Sequence, residues 1–106
     1  MDGIAWAASA MVAARSRLEI ATENLANVST EGFCRIAARG FLTAASVTIA
    51  REPAPKQPAA PGDNGVDAIA EMVDVLAASR SFESAEKTVA AIDATRQKSA
   101  DAARVK

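Results

Sequence analysis

Residues 3–28 read GIAWAASAMVAARSRLEIATENLANV, and this stretch decides the fold. Large apolar residues recur at every seventh position, and mostly alanine fills a second position of the same repeat. The first set is Ile4, Met11, Leu18 and Leu25, and the second set is Ala7, Ala14, Ala21 and Val28. Such a repeat predicts one helix, about 40 Å long, that packs along another helix. Asp2 is its expected N-cap.

A second long helix is predicted from about Val66 to about Ala100 or beyond. Asn64 is its expected cap, with Asp67 three residues later as an imperfect capping box. Two offset apolar stripes follow this helix. One consists of Val66, Ile69, Val73 and Leu76, and the other of Val75, Ala78, Phe82, Ala85, Val89 and Ile92. Two apolar faces require neighbours on more than one side, which favours a subunit of an assembly over a two-helix monomer.

The segment between the helices contains the turn and strand signals. Asn27 and Gly32 are residue types that accept a positive φ near a helix end. Residues 36–50 are typical of one or two short strands. Residues 51–62 contain all four prolines and predict an extended connector.

The predicted fold class is mainly α, with long N- and C-terminal helices packed as an antiparallel or staggered, coiled-coil-like pair. We expect an N-terminal helix in residues 1–30 and a short irregular or β segment with the Pro-rich connector in residues 31–62. The C-terminal helix occupies residues 63–106, and the three parts form one structural module. The polar part of this helix after Asp93 is expected to fray in isolation.

Composition argues against several classes of function. The 106 residues contain no histidine, which removes the commonest general base and metal ligand. The spacing of Glu71, Asp74, Glu83 and Glu86 is that of a solvated or interface-rim helix face, and Cys34 is expected to be a small apolar filler. We therefore expect no enzyme activity, no catalytic residue, no metal and no cofactor.

Charge and hydropathy exclude two further classes of partner. The formal net charge is −1, and neither half of the chain is basic, so nucleic-acid binding is not expected. The apolar run from Ile4 to Ala14 is too short to cross a bilayer, so direct membrane insertion is not expected. Asp2 occupies the place of the usual positive start of a signal peptide, which argues against a cleaved signal.

Residues 18–33, LEIATENLANVSTEGF, have a more specific pattern. Leu25 and Val28 continue the heptad, and Asn24 and Asn27 are placed to hydrogen-bond backbone groups as the helix ends. Gly32 permits a chain reversal, after which Phe33 returns to the apolar surface. On spacing alone, an ordinary helix end followed by a turn is the favoured interpretation of this pattern.

The same segment resembles the flagellar axial proteins, the family of rod, hook and hook-associated subunits. The residues that carry the resemblance are Leu18, Asn24, Leu25, Ala26, Asn27, Thr30, Gly32 and Phe33. A second segment resembles the helix that closes rod proteins of this family, through Glu71, Met72, Val73, Ser79, Arg80 and Phe82. Leu25 and Val73 are expected in the seam between the helices.

The resemblance implies a structural subunit of the bacterial flagellar basal-body rod. It implies helical assembly with other rod subunits and basal-body proteins, torque transmission, and helices that line the export channel. It also implies export by the flagellar type III apparatus without a cleaved signal peptide. The short middle segment points to a proximal-rod type subunit. The alternative is an export-linked adaptor or regulatory module that uses the same helices to bind axial proteins.

Overall fold

The computed structural model describes residues 3–43, 46–54 and 64–104. In chain order the elements are helix α1 (Gly3–Ala26), strands β1 (Ile36–Leu42) and β2 (Val47–Pro53), and helix α2 (Ala68–Arg104). The described residues form an elongated body of 74 × 23 × 14 Å. The predicted mainly α class is confirmed, with a helix pair and a short two-stranded β segment between the helices.

The two helices run antiparallel. At one end, Nδ2 of Asn24 in α1 lies 3.4 Å from Oε2 of Glu71 in α2. At the other end, Cδ1 of Ile92 lies 3.3 Å from the position that a Cβ would take on Gly3. Helix α1 has 24 residues and α2 has 37, so α2 continues beyond the end of α1.

The face of α1 that is buried is rotated around the helix axis relative to the predicted heptad seam. Its buried residues are Ala7, Ala13, Ala14, Ile20, Ala21 and Asn24. The large residues of the repeat, Ile4, Met11, Leu18 and Leu25, are only half-buried, and Val28 lies exposed in the turn after the helix. The reason is side-chain size, because alanine lets the α2 backbone approach closely and pushes longer side chains to the edge of the contact.

The two predicted stripes of α2 lie on different sides of the helix. Ala78 is buried and Val75, Phe82, Ala85, Val89 and Ile92 are half-buried, which places this stripe against α1. Ile69, Val73 and Leu76 are exposed instead. Successive residues of a helix are rotated by about 100° around its axis, so these three side chains lie roughly on the opposite side of α2 from Ala78. The prediction that Val73 lies in the seam between the helices is therefore wrong.

Helix α2 begins later than predicted and has a different cap. Oδ1 of Asp67 accepts hydrogen bonds from the backbone N–H of Ile69 at 3.0 Å and of Ala70 at 3.5 Å, so Asp67 is the N-cap. Gly65, at φ +77°, turns the chain between the predicted cap Asn64 and the helix. The predicted N-cap of α1, Asp2, lies outside the described residues.

The β segment is a two-stranded antiparallel hairpin, in register from Ile36↔Pro53 to Leu42↔Val47. Two strands are thus observed where one or two were predicted. Strand β2 continues through residues 51–53, which the sequence had assigned to the Pro-rich connector. The rest of that connector lies outside the described residues.

The hairpin packs back along α1. The backbone N–H of Val47 donates to Oγ of Ser9 at 3.0 Å, and Arg51 forms an ion pair with Glu23 nearer the other end of the helix. The hairpin therefore starts beside the C-terminal end of α1, where the candidate site lies, and its turn reaches back towards the N-terminal half.

Candidate functional site

The site is built around a fully buried asparagine at the end of α1. Asn24 is 0% exposed. Its Nδ2 donates to the backbone carbonyl of Ile36 at 2.8 Å, and its Oδ1 accepts from the backbone N–H of Ile36 at 2.8 Å. One side chain thus satisfies both backbone groups of the first residue of β1 and fixes the hairpin to the helix.

A buried carboxylate connects this asparagine to α2. Glu71 is 1% exposed, and its Oε2 lies 3.4 Å from Nδ2 of Asn24. Its Oε1 accepts from Nε of Arg35 at 2.6 Å, and Nη2 of Arg35 also lies 3.8 Å from Oδ2 of Asp74. We call Asn24, Arg35 and Glu71 the buried polar cluster. It joins α1, the start of β1 and α2 through charge-assisted hydrogen bonds.

The location of Glu71 corrects the expectation of a solvated face. Asp74, Glu83 and Glu86 are exposed as expected, whereas Glu71 faces α1. The signal was present in the sequence, because Glu71 lies four residues before Val75. It therefore continues the stripe of α2 from Val75 to Ile92 that packs against α1, which we call the inner stripe. A carboxylate is almost never fully buried without a partner, and here Arg35 provides one.

The turn after α1 explains the second asparagine of the motif. Nδ2 of Asn27 donates to the carbonyl of Glu23 at 2.8 Å, and Oγ1 of Thr30 lies 3.1 Å from Oδ1 of Asn27. Asn64 lies across the same turn, where its Nδ2 is 2.8 Å from the carbonyl of Asn27 and 3.0 Å from that of Thr30. A side chain from the segment before α2 thus holds the carbonyls of the turn that follows α1.

Gly32 and Phe33 complete the turn. Gly32 has φ +82°, as predicted, and a Cβ at this position would have nothing within 4 Å. The backbone conformation, and not lack of space, therefore favours glycine there. Phe33 is half-buried, and its backbone N–H donates to the carbonyl of Thr30 at 3.3 Å.

A second feature is an exposed apolar surface on the side of α2 that faces away from α1. We call it the outer stripe and define it as Ile69, Met72, Val73 and Leu76. Their exposed fractions are 74%, 55%, 58% and 53%. The spacing of three and four residues makes them neighbours on the helix surface. Contiguous exposed apolar side chains of this kind make the outer stripe a candidate surface for contact with another protein.

The structure divides the predicted site residues between these two features. The turn and the buried polar cluster contain Asn24, Asn27, Thr30, Gly32, Phe33 and Glu71, and the outer stripe contains Met72 and Val73. The others flank them: Leu18, Leu25, Ser79 and Phe82 are half-buried, and Ala26 and Arg80 are exposed.

Sequence reasoning missed Arg35 and Asn64. For Arg35 the available signal was its position just after the turn; Asn64 had been interpreted as a cap.

The part of the chain that the structure describes offers no cluster of metal ligands and no membrane-spanning helix. There, no three potential metal-ligating side chains come together. No helix there has the length and apolar character needed to span a bilayer. Cys34, expected to be an apolar filler, is exposed.

Two family models match the chain. The model described as "Flagella basal body rod protein" matches residues 4–33, which include α1, Asn24 and the turn. The model described as "Flagellar basal body rod FlgEFG protein C-terminal" matches residues 63–102, which include Glu71 and the outer stripe. Together they span more than half of the 106 residues, in an order that follows the two helices. A comparison with curated proteins gives no match.

Proposed function

Because this chain belongs to the flagellar basal-body rod proteins, we propose that it is a structural subunit that assembles helically into the rod. The family places the chain in the flagellum and implies association with other rod proteins. Our proposal extends this to torque transmission, to helices that line the export channel, and to delivery by the flagellar type III export apparatus. The short segment between the helices supports a proximal-rod type.

The observation that carries the proposal is the outer stripe. Helix α1 covers one side of α2 and leaves four large apolar residues on the opposite side. Burying a side chain of this size is worth about 1.5–3 kcal/mol, so a neighbouring subunit that covers the outer stripe gains a large part of its binding energy there. The buried polar cluster supports the proposal differently, because it holds α2 in a fixed orientation relative to α1.

The test compares two substitutions to aspartate on the outer side of α2. Val73→Asp puts a charge into the outer stripe, whereas Lys87→Asp changes an exposed residue on the same side but beyond the stripe. Each variant replaces the wild-type chain in a motile strain. The chain is then quantified in purified basal bodies, and helix content is checked by circular dichroism.

We expect Val73→Asp to fold with wild-type helix content yet to be missing from basal bodies, because association would bury an unpaired charge. Lys87→Asp should be incorporated. Wild-type incorporation of Val73→Asp would contradict the role of the outer stripe. A wild-type chain that is absent from basal bodies but bound to axial proteins would instead support the adaptor alternative.

A further inference from the structure

We propose that the buried polar cluster sets the axial register of the two helices, and that without it α2 slides by one heptad along α1. The register is the alignment of positions along the pair: Asn24 lies opposite Glu71, and Gly3 lies opposite Ile92. These two contacts are 21 residues apart on each helix, so one alignment holds along the whole pair. The inference concerns the single chain and does not depend on assembly into the rod.

The apolar contact between the helices repeats every seven residues. Helix α1 presents Ala7, Ala14 and Ala21, which are all buried and share one position of the heptad. The inner stripe of α2 repeats in the same way. One of its heptad positions holds Ala78, Ala85 and Ile92, and the other holds Val75, Phe82 and Val89. A shift of seven residues, about 10.5 Å, therefore places small residues against small residues and large against large over most of the contact.

The length of α2 leaves room for this shift in one direction. Gly3 lies level with Ile92, and α2 continues past that point. A slide of seven residues brings Gly3 level with Ser99, which still belongs to α2. A slide in the opposite direction brings Asn24 level with residue 64, which precedes the helix. One competing alignment thus keeps the full length of the contact, and we call it the slipped register.

The buried polar cluster is the part of the contact that does not repeat. Glu71 occupies the heptad position that Ala78 and Ala85 occupy further along α2. Among the described residues, Asn24 and Glu71 are the buried polar or charged ones. In the slipped register Ala78 lies opposite Asn24, and Glu71 lies beyond the end of α1. The best-attested role of a buried polar group between helices is to select one alignment over another.

The cation and the carboxylate of the cluster belong to the two parts that slide. Arg35 moves with α1, because Asn24 holds the next residue, Ile36, through two hydrogen bonds of 2.8 Å. Glu71 moves with α2, and its Oε1 accepts from Nε of Arg35 at 2.6 Å. Asp74, also on α2, lies 3.8 Å from Nη2 of Arg35. A slide of about 10.5 Å separates Arg35 from both carboxylates, which disfavours the slipped register.

The test measures the register with disulfides inside one full-length chain that carries Cys34→Ser and Ala10→Cys. Adding Ala85→Cys reports the observed register, because Ala10 and Ala85 line the same groove between the helices. Adding Ile92→Cys instead reports the slipped register. In the observed register, position 92 lies about 10.5 Å further along α2 than position 85, beyond the Cα separation of about 7 Å that a disulfide allows.

Each chain is equilibrated with reduced and oxidised glutathione at low protein concentration. The monomeric disulfide is quantified by mass spectrometry, and helix content is measured by circular dichroism. With the cluster intact, Ala85→Cys should form at least about tenfold more disulfide with Ala10→Cys than Ile92→Cys does. Arg35→Met should raise the Ile92→Cys disulfide about tenfold, because it leaves Glu71 buried without a cation in the observed register.

The matched control is Arg51→Met, the same change in another arginine of the hairpin. It removes an exposed ion pair between the hairpin and Glu23 of α1 and does not involve α2. Both disulfide yields should stay at the level of the intact cluster. An equal rise of the Ile92→Cys disulfide in Arg51→Met and Arg35→Met would overturn the assignment of the register to the cluster.

The double variant Arg35→Met, Glu71→Met decides the question even where Arg35→Met alone loses helix content. It leaves no unpaired charge in the contact, so helix content should be retained, and the Ile92→Cys disulfide should again rise about tenfold. Retained helix content with an unchanged Ile92→Cys disulfide would overturn the inference. Loss of helix content in the double variant would also overturn it, because the cluster would then be needed for folding and not for the choice of register.

Discussion

Replacing Asn24 by alanine tests whether the motif asparagine holds the helices and hairpin together. The matched control is Asn27→Ala, the same change three residues later in the same motif. Asn24 is fully buried and bonds to β1 and α2, whereas Asn27 is half-buried and its bonds stay within the helix end and the following turn. The two variants therefore separate a tertiary role from a local one.

The cost of Asn24→Ala follows from its three contacts. The two bonds of 2.8 Å to Ile36 contribute about 1 kcal/mol each, and the contact with the buried carboxylate of Glu71 adds about 1 kcal/mol. The free energy of unfolding should fall by about 3 kcal/mol. For a chain of this size, each kcal/mol lowers Tm by roughly 4–8 °C, which gives a decrease of about 12–24 °C. Asn27→Ala should cost about 1 kcal/mol or less, because water replaces its bonds.

The assay is thermal unfolding followed by circular dichroism at 222 nm, with the fluorescence of Trp6 as a second probe. Asn24→Ala should lower Tm at least twice as much as Asn27→Ala, and both probes should report the same transition. Equal and small decreases for the two variants would refute the view that Asn24 joins α1, β1 and α2.

Three further predictions follow from single contacts. Gly32→Val should cost about 1–2 kcal/mol because of the φ of +82°, whereas Gly32→Asn should cost less, and equal Tm values would show that a positive φ is not needed there. Asp67→Ala should lower the free energy of unfolding by about 1 kcal/mol through loss of the α2 cap, and denaturant unfolding of Asp67→Asn should show the cap retained. Leu25→Asp, at a half-buried position, should block incorporation into the rod, whereas Ala26→Asp, at an exposed position, should not; normal swimming of the Leu25→Asp strain would contradict this expectation.

Hydrophobic periodicity predicted the helix pair but only part of its contact line. The heptad from Ile4 to Leu25 identified α1 and its need for a partner helix. It placed the alanines of the repeat, Ala7, Ala14 and Ala21, in the contact, where they are buried. It gave the same weight to the large residues of the repeat, which are only half-buried, because large residues dominate a hydrophobic pattern while small ones decide where two backbones come closest. The sequence identified both stripes of α2 but placed Val73, from the outer stripe, in the seam. The inner stripe lies there instead, since its large residues pack against that alanine surface.

The polar part of the site was harder to predict. Glu71 was interpreted as part of a solvated or interface-rim face because a carboxylate is rarely fully buried, and only its register with Val75 indicated burial. The capping of the α1 turn by Asn64 depends on a contact between residues 37 positions apart in the chain, and no local pattern contains that information. The resemblance of residues 18–33 identified which polar residues matter, and the structure supplied their bonds.

Sedimentation velocity of the purified full-length chain over a range of concentrations measures the role of the outer stripe most directly. The wild type should show a sedimentation coefficient that rises continuously with concentration, as a helical assembly that does not close requires. Val73→Asp should stay monomeric at every concentration with unchanged helix content. A wild type that stays monomeric throughout, or a Val73→Asp variant that associates as strongly as the wild type, would contradict assembly through this surface.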